Sequence, residues 1–244
     1  MRVALIADLH GNDIAFEAVL ADFADEPVDQ IVCLGDVAAT GPQPKETVAR
    51  LRQLKCPVVM GNADADLLTM PVVIQPLAND EACRIAAIDA WCAAQLDDAD
   101  LAFLRAFRPT VAIPLPGNGS LIACHGSPRS FNERLEATTT PETLTDMLAG
   151  VEATIIAAGH THTPMIRRHR RRLLVNPGSV GLPHTTPAAG HVHATPRAEY
   201  AIVTASEGRL AVDLRAIPFD HRRLLAIARE SGMPEADWWC ADWE

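Results

Sequence analysis

The chain has 244 residues, with 31 Asp and Glu against 21 Lys and Arg, giving a net charge of −10 with histidines neutral. At 48% apolar and 21% charged residues it has a globular composition, not a disordered or fibrous one, and enough length for a sizeable core. The acidic excess argues against generic binding to nucleic acid or anionic lipid, which needs a positive field. A small anionic substrate would then need local positive charge, and bound metal is the first candidate.

Arg2 to Ala7 is a short apolar run ending on Asp8, which reads as a buried strand and is too short for a signal-peptide core. Asn12-Asp13 opens a helical pattern with Ile14, Ala18, Val19 and Phe23 on one face. Gln30 to Gly35 reads as a second strand ending on Asp36, and Pro44 suits the first turn of a helix through Leu54. Cys56 to Met60 reads as a third strand before Gly61-Asn62. Strand–helix–strand–helix–strand is the pattern of parallel βαβ units.

Leu67 to about Phe107 reads as mostly helical and Ala-rich. Thr110–Leu115 and Ser120–Cys124 flank Gly117-Asn118-Gly119, a hairpin signal. Thr154–Ala158 runs into Gly159-His160, and Leu173–Val175 runs into Asn176-Pro177-Gly178. Ala198–Thr204 and Leu210–Ile217 form a last hairpin across Glu207-Gly208, followed by a helical, Trp-rich end. The expected organisation is one domain over 1–220, with a helical insert and cap over 70–116, and a helical appendage over 221–244. No segment approaches a membrane span. The six scattered cysteines suit buried thiols in a reducing cytoplasm.

Six apolar runs end on a metal-capable or hydrogen-bonding side chain: Asp8, Asp36, Asn62, His125, His160 and Asn176. Ligands of open α/β sheets collect beyond the carboxyl ends of the strands, so these groups would meet along one edge. Asp8-x-His10, Gly35-Asp36, Gly61-Asn62, His125-Gly126 and Gly159-His160-Thr161-His162 together offer more ligands than one metal uses. They suit two ions sharing a carboxylate about 3.5–4 Å apart. Nitrogen and oxygen donors without thiolate favour Mn²⁺, with Fe, Zn²⁺ or Ni²⁺ as alternatives, over Ca²⁺ or Mg²⁺.

In the order and spacing of these motifs the chain resembles the calcineurin-like metallophosphoesterase superfamily, and within it the small bacterial and archaeal phosphodiesterase branch. The resemblance covers Met1 to Pro183, loosely between Met70 and Ser120. It implies an α/β, four-layer α/β/β/α sandwich of two mixed sheets with flanking helices. It assigns Asp8, His10, Asp36 and His162 to one metal and Asp36, Asn62, His125 and His160 to the other. The implied reaction is in-line attack on phosphorus by a hydroxide shared between the ions. A dinucleoside polyphosphate hydrolase and a phosphomonoesterase or protein phosphatase are alternatives, as is a non-catalytic scaffold of the kind found in a retromer subunit. A scaffold would be expected to have lost ligands, whereas here all seven positions are filled.

Each motif also has a bland reading. The carboxylates can be helix caps or turn formers, Gly61-Asn62 a turn, and His125 a structural histidine. Asn12 reads equally as a phosphate contact or an N-cap. His184 follows Asn176-Pro177-Gly178-Ser179 closely enough to face the cleft and touch substrate. Gly190-His191-Val192-His193 mimics the GHTH motif but follows no strand, and reads as a surface loop. Arg167–Arg172 reads as a solvated hairpin tip, because His162 and Asn176 both belong at the site and the chain between them must go out and return. Trp238, Trp239 and Trp243 read as core, with packing on a partner as the alternative, and specificity is expected from the segment 70–115 and whatever the C-terminal helices cover. The residue after Asn62 is Ala63, where protein phosphatases of the superfamily carry a leaving-group-protonating His. Asp64 stands next as a substitute acid, provided its pKa is raised.

Overall fold

The computed structural model describes residues 1–69, 80–117, 119–185 and 193–243. Its first half alternates β1 (Arg2–Ile6), α1 (Asp13–Asp25), β2 (Gln30–Cys33) and α2 (Pro44–Leu54). Three helices follow, α3 (Asn62–Thr69), α4 (Asp80–Gln95) and α5 (Asp98–Arg105). Then come β3 (Val111–Leu115), β4 (Gly119–Ala123), α6 (Pro141–Met147), β5 (Ile155–Ala157), β6 (Met165–His169) and β7 (Arg172–Asn176). The chain ends with β8 (His184–Thr185), β9 (His193–Ala194), β10 (Arg197–Ser206), β11 (Arg209–Pro218), α7 (His221–Glu230) and α8 (Ala236–Ala241).

β1 is apolar on both faces because it is central: β2 pairs with it in parallel and β10 antiparallel. One sheet has the order β11-β10-β1-β2 and the other β3-β4-β5-β7-β6, and both mix parallel and antiparallel pairs. They stack through Val3, Leu5, Val32, Leu34, Leu121, Ile155, Val175 and Val203. The outer face of the first sheet carries Phe16, Leu51, Leu104, Leu224 and Trp239 from the helices. The outer face of the second is covered by α6 through Leu144 and Met147. Helix, sheet, sheet, helix is the expected four-layer order. α7 and α8 share one apolar cluster with α1 and α2, and Trp239 and Trp243 are buried in it.

One reading needs correction. The third strand, 56–60, is reduced to bridges from Val58 to Cys33 and from Val59 to Arg108. Pro57 has no N–H to donate, so only its carbonyl is paired, with the Cys33 N–H. The strand expected over 110–115 is β3, which belongs to the second sheet. The turn before β4 and the specificity segment are described only in part, because residues 70–79 and 118 lie outside the described residues, as does His191. His193 opens β9 and is exposed.

β6 and β7 form the expected hairpin, with His169 pairing with Arg172 across Arg170-Arg171. Arg168, Arg170 and Arg171 are exposed on the edge strand and its turn, where charge discourages strand-to-strand aggregation. Five residues of extended strand hold the turn about 17 Å from the end that meets the site. Arg170→Ala with Arg171→Ala should therefore leave kcat within about twofold, as for surface substitutions generally. A tenfold loss in a folded double variant would show that the hairpin reaches the cleft.

Candidate metal centre

The strand ends bring the predicted ligands together. Nine non-glycine residues among those described have positive φ, and five of them are Asp8, His10, Asp36, His160 and His162. Asp and His tolerate the left-handed region better than most residues, yet holding so many there is costly and marks a functional edge. At Gly61 a Cβ would stand 2.0 Å from Asp36 Oδ1. The glycine therefore makes room for the carboxylate of Asp36.

Two clusters result. The ligand atoms of Asp8, His10 and His162 lie within 4.8 Å of one another, and so do those of Asp36, His125 and His160. Asn62 joins the second cluster, its Oδ1 being 3.0 Å from His125 Nε2. Asp36 Oδ2 is 3.2 Å from His125 Nε2 and 3.9 Å from His10 Nε2, so it stands between the clusters. Asp8 lies 3.4 Å from His162 Nε2 and accepts the His160 backbone N–H.

Three of the imidazoles are aimed by backbone carbonyls. Nδ1 donates to Ala39 O at 3.0 Å in His10, to Leu34 O at 2.7 Å in His125 and to Leu182 O at 2.8 Å in His162. A carbonyl only accepts, so Nδ1 carries the proton and Nε2 of the neutral ring presents a lone pair. His10 Nε2 and His162 Nε2 then face each other at 3.1 Å, lone pair to lone pair. Only a shared proton or a cation makes that contact favourable. The donor set thus fits a divalent metal.

Electrostatics agree. Burial, with His162 alongside, pushes His10 down to about 4. Burial also opposes charge on His125, but the Asp36 carboxylate outweighs it and lifts His125 to about 10. Asp36 is correspondingly held below the usual carboxylate range, against its own burial, by His125. His162 is raised despite burial because Asp8 faces it. The carboxylates of Asp36 and Asp8 thus favour positive charge at His125 and His162, while burial disfavours it at His10 and His160.

The remaining candidates divide. Asn12 is an N-cap: Oδ1 accepts from Ala15 N and Nδ2 donates to Gly181 O, with the side chain wholly buried. The cap, the bond to Gly181 and complete burial favour the N-cap reading over the phosphate contact. Asn12→Ala should lower Tm by about 2–6 °C, the effect of losing a cap in a chain of this size. KM should stay within about twofold, and a large KM rise with unchanged Tm would restore the substrate role. Asp64 also departs from expectation. It is raised to about 7 by burial and the charge of Asp36, yet it faces inward and accepts N–H groups from Asp36, Val37 and Gly61. It shapes the loop carrying Asp36 and does not reach a leaving group.

The His184 ring lies 4.9 Å from that of His162. Burial and His162 lower its pKa. Asn176 is outside both clusters and ties Gly159 O and Thr161 Oγ1. Ser179, named in the sequence as the end of Asn176-Pro177-Gly178-Ser179 but given no role there, donates to Asp8 O and accepts from Leu182 N. The sequence reading missed Arg134, which bears no motif of its own and whose charge adds to the lowering of both His160 and His184.

Two stacked mixed sheets with two donor clusters at one edge define a metal-binding α/β protein. The chain belongs to the calcineurin-like phosphoesterase superfamily, whose domain matches residues 1–207. It is 27% identical over 197 residues to an uncharacterized protein of Methanocaldococcus jannaschii, covering 74% of this chain and 76% of that one. A metallophosphoesterase from Sphaerobacter thermophilus is 27% identical, with a TM-score of 0.73 over 99% of this chain and 100% of that one. A hypothetical protein from Pyrococcus horikoshii OT3 shares the fold at 20% identity, with a TM-score of 0.76 over 96% of this chain and 94% of that one. Membership of a phosphoester hydrolase family accords with the donor clusters. Among the described residues no helix is long and apolar enough to cross a membrane.

Proposed function

We propose that the protein is a phosphodiesterase working with two divalent cations, Mn²⁺ by preference, on a small phosphorylated substrate. The observation that carries the reading is the meeting of His10 Nε2 and His162 Nε2 at 3.1 Å beside Asp8, with Asp36 leading to a second cluster. Asp8, His10 and His162 would hold one cation, Asn62, His125 and His160 the other, and Asp36 both. When bound, such cations neutralise charge on phosphoryl oxygens and lower the pKa of an attacking water.

The chain's own contribution is orientation. Backbone carbonyls of Leu34, Ala39 and Leu182 fix three imidazoles so that no ring must turn during reaction. His184, with its ring beside that of His162, would meet substrate. Arg134, paired with Glu136 and influencing His160 and His184, supplies a cation for the substrate's further anionic groups. The six cysteines, none in a disulfide, support a cytoplasmic setting.

Metal analysis and a generic diester assay test the reading together. Protein equilibrated with Mn²⁺ should retain two ions per chain and hydrolyse bis-p-nitrophenyl phosphate. Chain that retains no metal and is inert with Mn²⁺ present would instead be a scaffold of this fold.

A further inference from the structure

Resting on the metal reading above, we propose that Trp239, on the C-terminal helix α8, is a positioning residue for His10 and sets metal affinity at the Asp8–His10–His162 position. α8 lies beyond residue 207, where the matched domain ends, so this support comes from outside the matched region.

The path is short. The loop 36–43 wraps the segment carrying His10: His10 N donates to Asp36 O at 3.0 Å, Gly11 N to Val37 O at 2.9 Å and Gln43 N to Gly11 O at 2.7 Å. Within it, Ala39 O receives His10 Nδ1 at 3.0 Å and so decides where Nε2 points. The next residue, Thr40, is held in the left-handed region at φ 65°. Two tethers from separate helices hold it: its hydroxyl donates to Asp89 of α4 at 2.8 Å, and its carbonyl receives Trp239 Nε1 at 2.9 Å. At Gly41, the residue after, a Cβ would stand 1.8 Å from His10 O, so loop and His10 backbone are in direct contact. A shift of Thr40 therefore moves Ala39 O, and with it the imidazole. The second cluster takes no support from Thr40: His125 is aimed by Leu34 O and Asp36 accepts from Ala63 N.

The chain supplies its own control. Trp243 is also buried beside α8, with its ring 5.6 Å from that of Trp239, but its Nε1 has no partner among the described residues. Trp239→Phe and Trp243→Phe both keep an aromatic ring, and only the first removes a tether.

Calorimetric titration of metal-free protein with Mn²⁺ reads the effect, with apo melting curves to monitor folding. Wild type should show two binding steps. Trp239→Phe should weaken one step about tenfold, the scale of losing an outer-shell support, and leave the other unchanged. Trp243→Phe should change neither. On a His10→Ala background Trp239→Phe should add nothing, because the two act through one group. If Trp239→Phe does not fold, Thr40→Val cuts the other tether and should weaken the same step. Equal weakening of both steps, no weakening, or a further loss on the His10→Ala background would overturn the assignment. Wild type that binds no Mn²⁺ would overturn the metal reading and this inference with it. Two wild-type steps that neither Trp239→Phe nor Thr40→Val moves would overturn this inference alone.

Discussion

Asp36→Ala should lower kcat/KM by about a thousandfold or more, since charge stabilisation worth several kcal/mol is lost. It should also leave the chain nearly without bound metal after dialysis. His125→Ala should keep about one ion per chain and lose less activity. The reason is position: Asp36 Oδ2 lies 3.2 Å from His125 Nε2 and 3.9 Å from His10 Nε2, between the two clusters, whereas His125 belongs to one. Asp36 also accepts the Ala63 N–H at 2.9 Å, so the alanine variant loosens the start of α3. Asp36→Asn keeps an acceptor there while removing the charge, and should retain the fold but not the metal. Elemental analysis and steady-state kinetics on the three variants check this. Near-normal turnover in Asp36→Ala would sink the two-metal assignment.

Part of the candidate donor set was legible because its members end apolar runs, and parallel strands carry such ends to one edge, whereas His10 and His162 stand two residues further on and were read from the motif resemblance. Asp8, Asp36, His125 and His160 needed nothing more. What was not legible is how they are held. Ala39, Leu34 and Leu182 act through backbone carbonyls, which every residue possesses, so no side-chain pattern marks them. Thr40, Asp89 and Trp239 meet only after the whole chain has folded, across 199 residues in the case of Trp239 and Thr40. Asn12 and Asp64 were ambiguous for a different reason. A polar side chain at a strand end caps a helix or braces a loop by the same chemistry that would bind substrate, and only burial and occupied lone pairs decide. The apolar run from Cys56 to Met60 predicts a strand, and Pro57 limits it to bridges.

The chemistry of the leaving group follows from what surrounds Asn62. Ala63 cannot donate a proton, and Asp64 has both oxygens committed to the backbone N–H groups of Asp36, Val37 and Gly61. A proton on Asp64 would sit on a wholly buried side chain turned towards those backbone groups. His160 and His184 are nearer the opening, but burial and their histidine neighbours lower both, so at neutral pH they are bases and not acids. None of these four residues is both protonated and free to give its proton to a departing alkoxide. Absence of a general acid costs about 10²–10⁴-fold for a poor leaving group and little for an acidic one. Phenolates and nucleotide phosphates should therefore leave readily, and serine or threonine alkoxides should not. With Mn²⁺ present, kcat/KM for bis-p-nitrophenyl phosphate should exceed that for a phosphoserine peptide by about 10²-fold or more. Across a series of aryl diesters the rate should fall steeply as the leaving-group pKa rises, because charge on the departing oxygen goes unprotonated. Ala63→His is the less clean test, since Ala63 is 9% exposed and packed in the apolar cluster. A flat dependence on leaving-group pKa, or a preference for the peptide, would show that another group delivers the proton and that the reading of Ala63 is wrong.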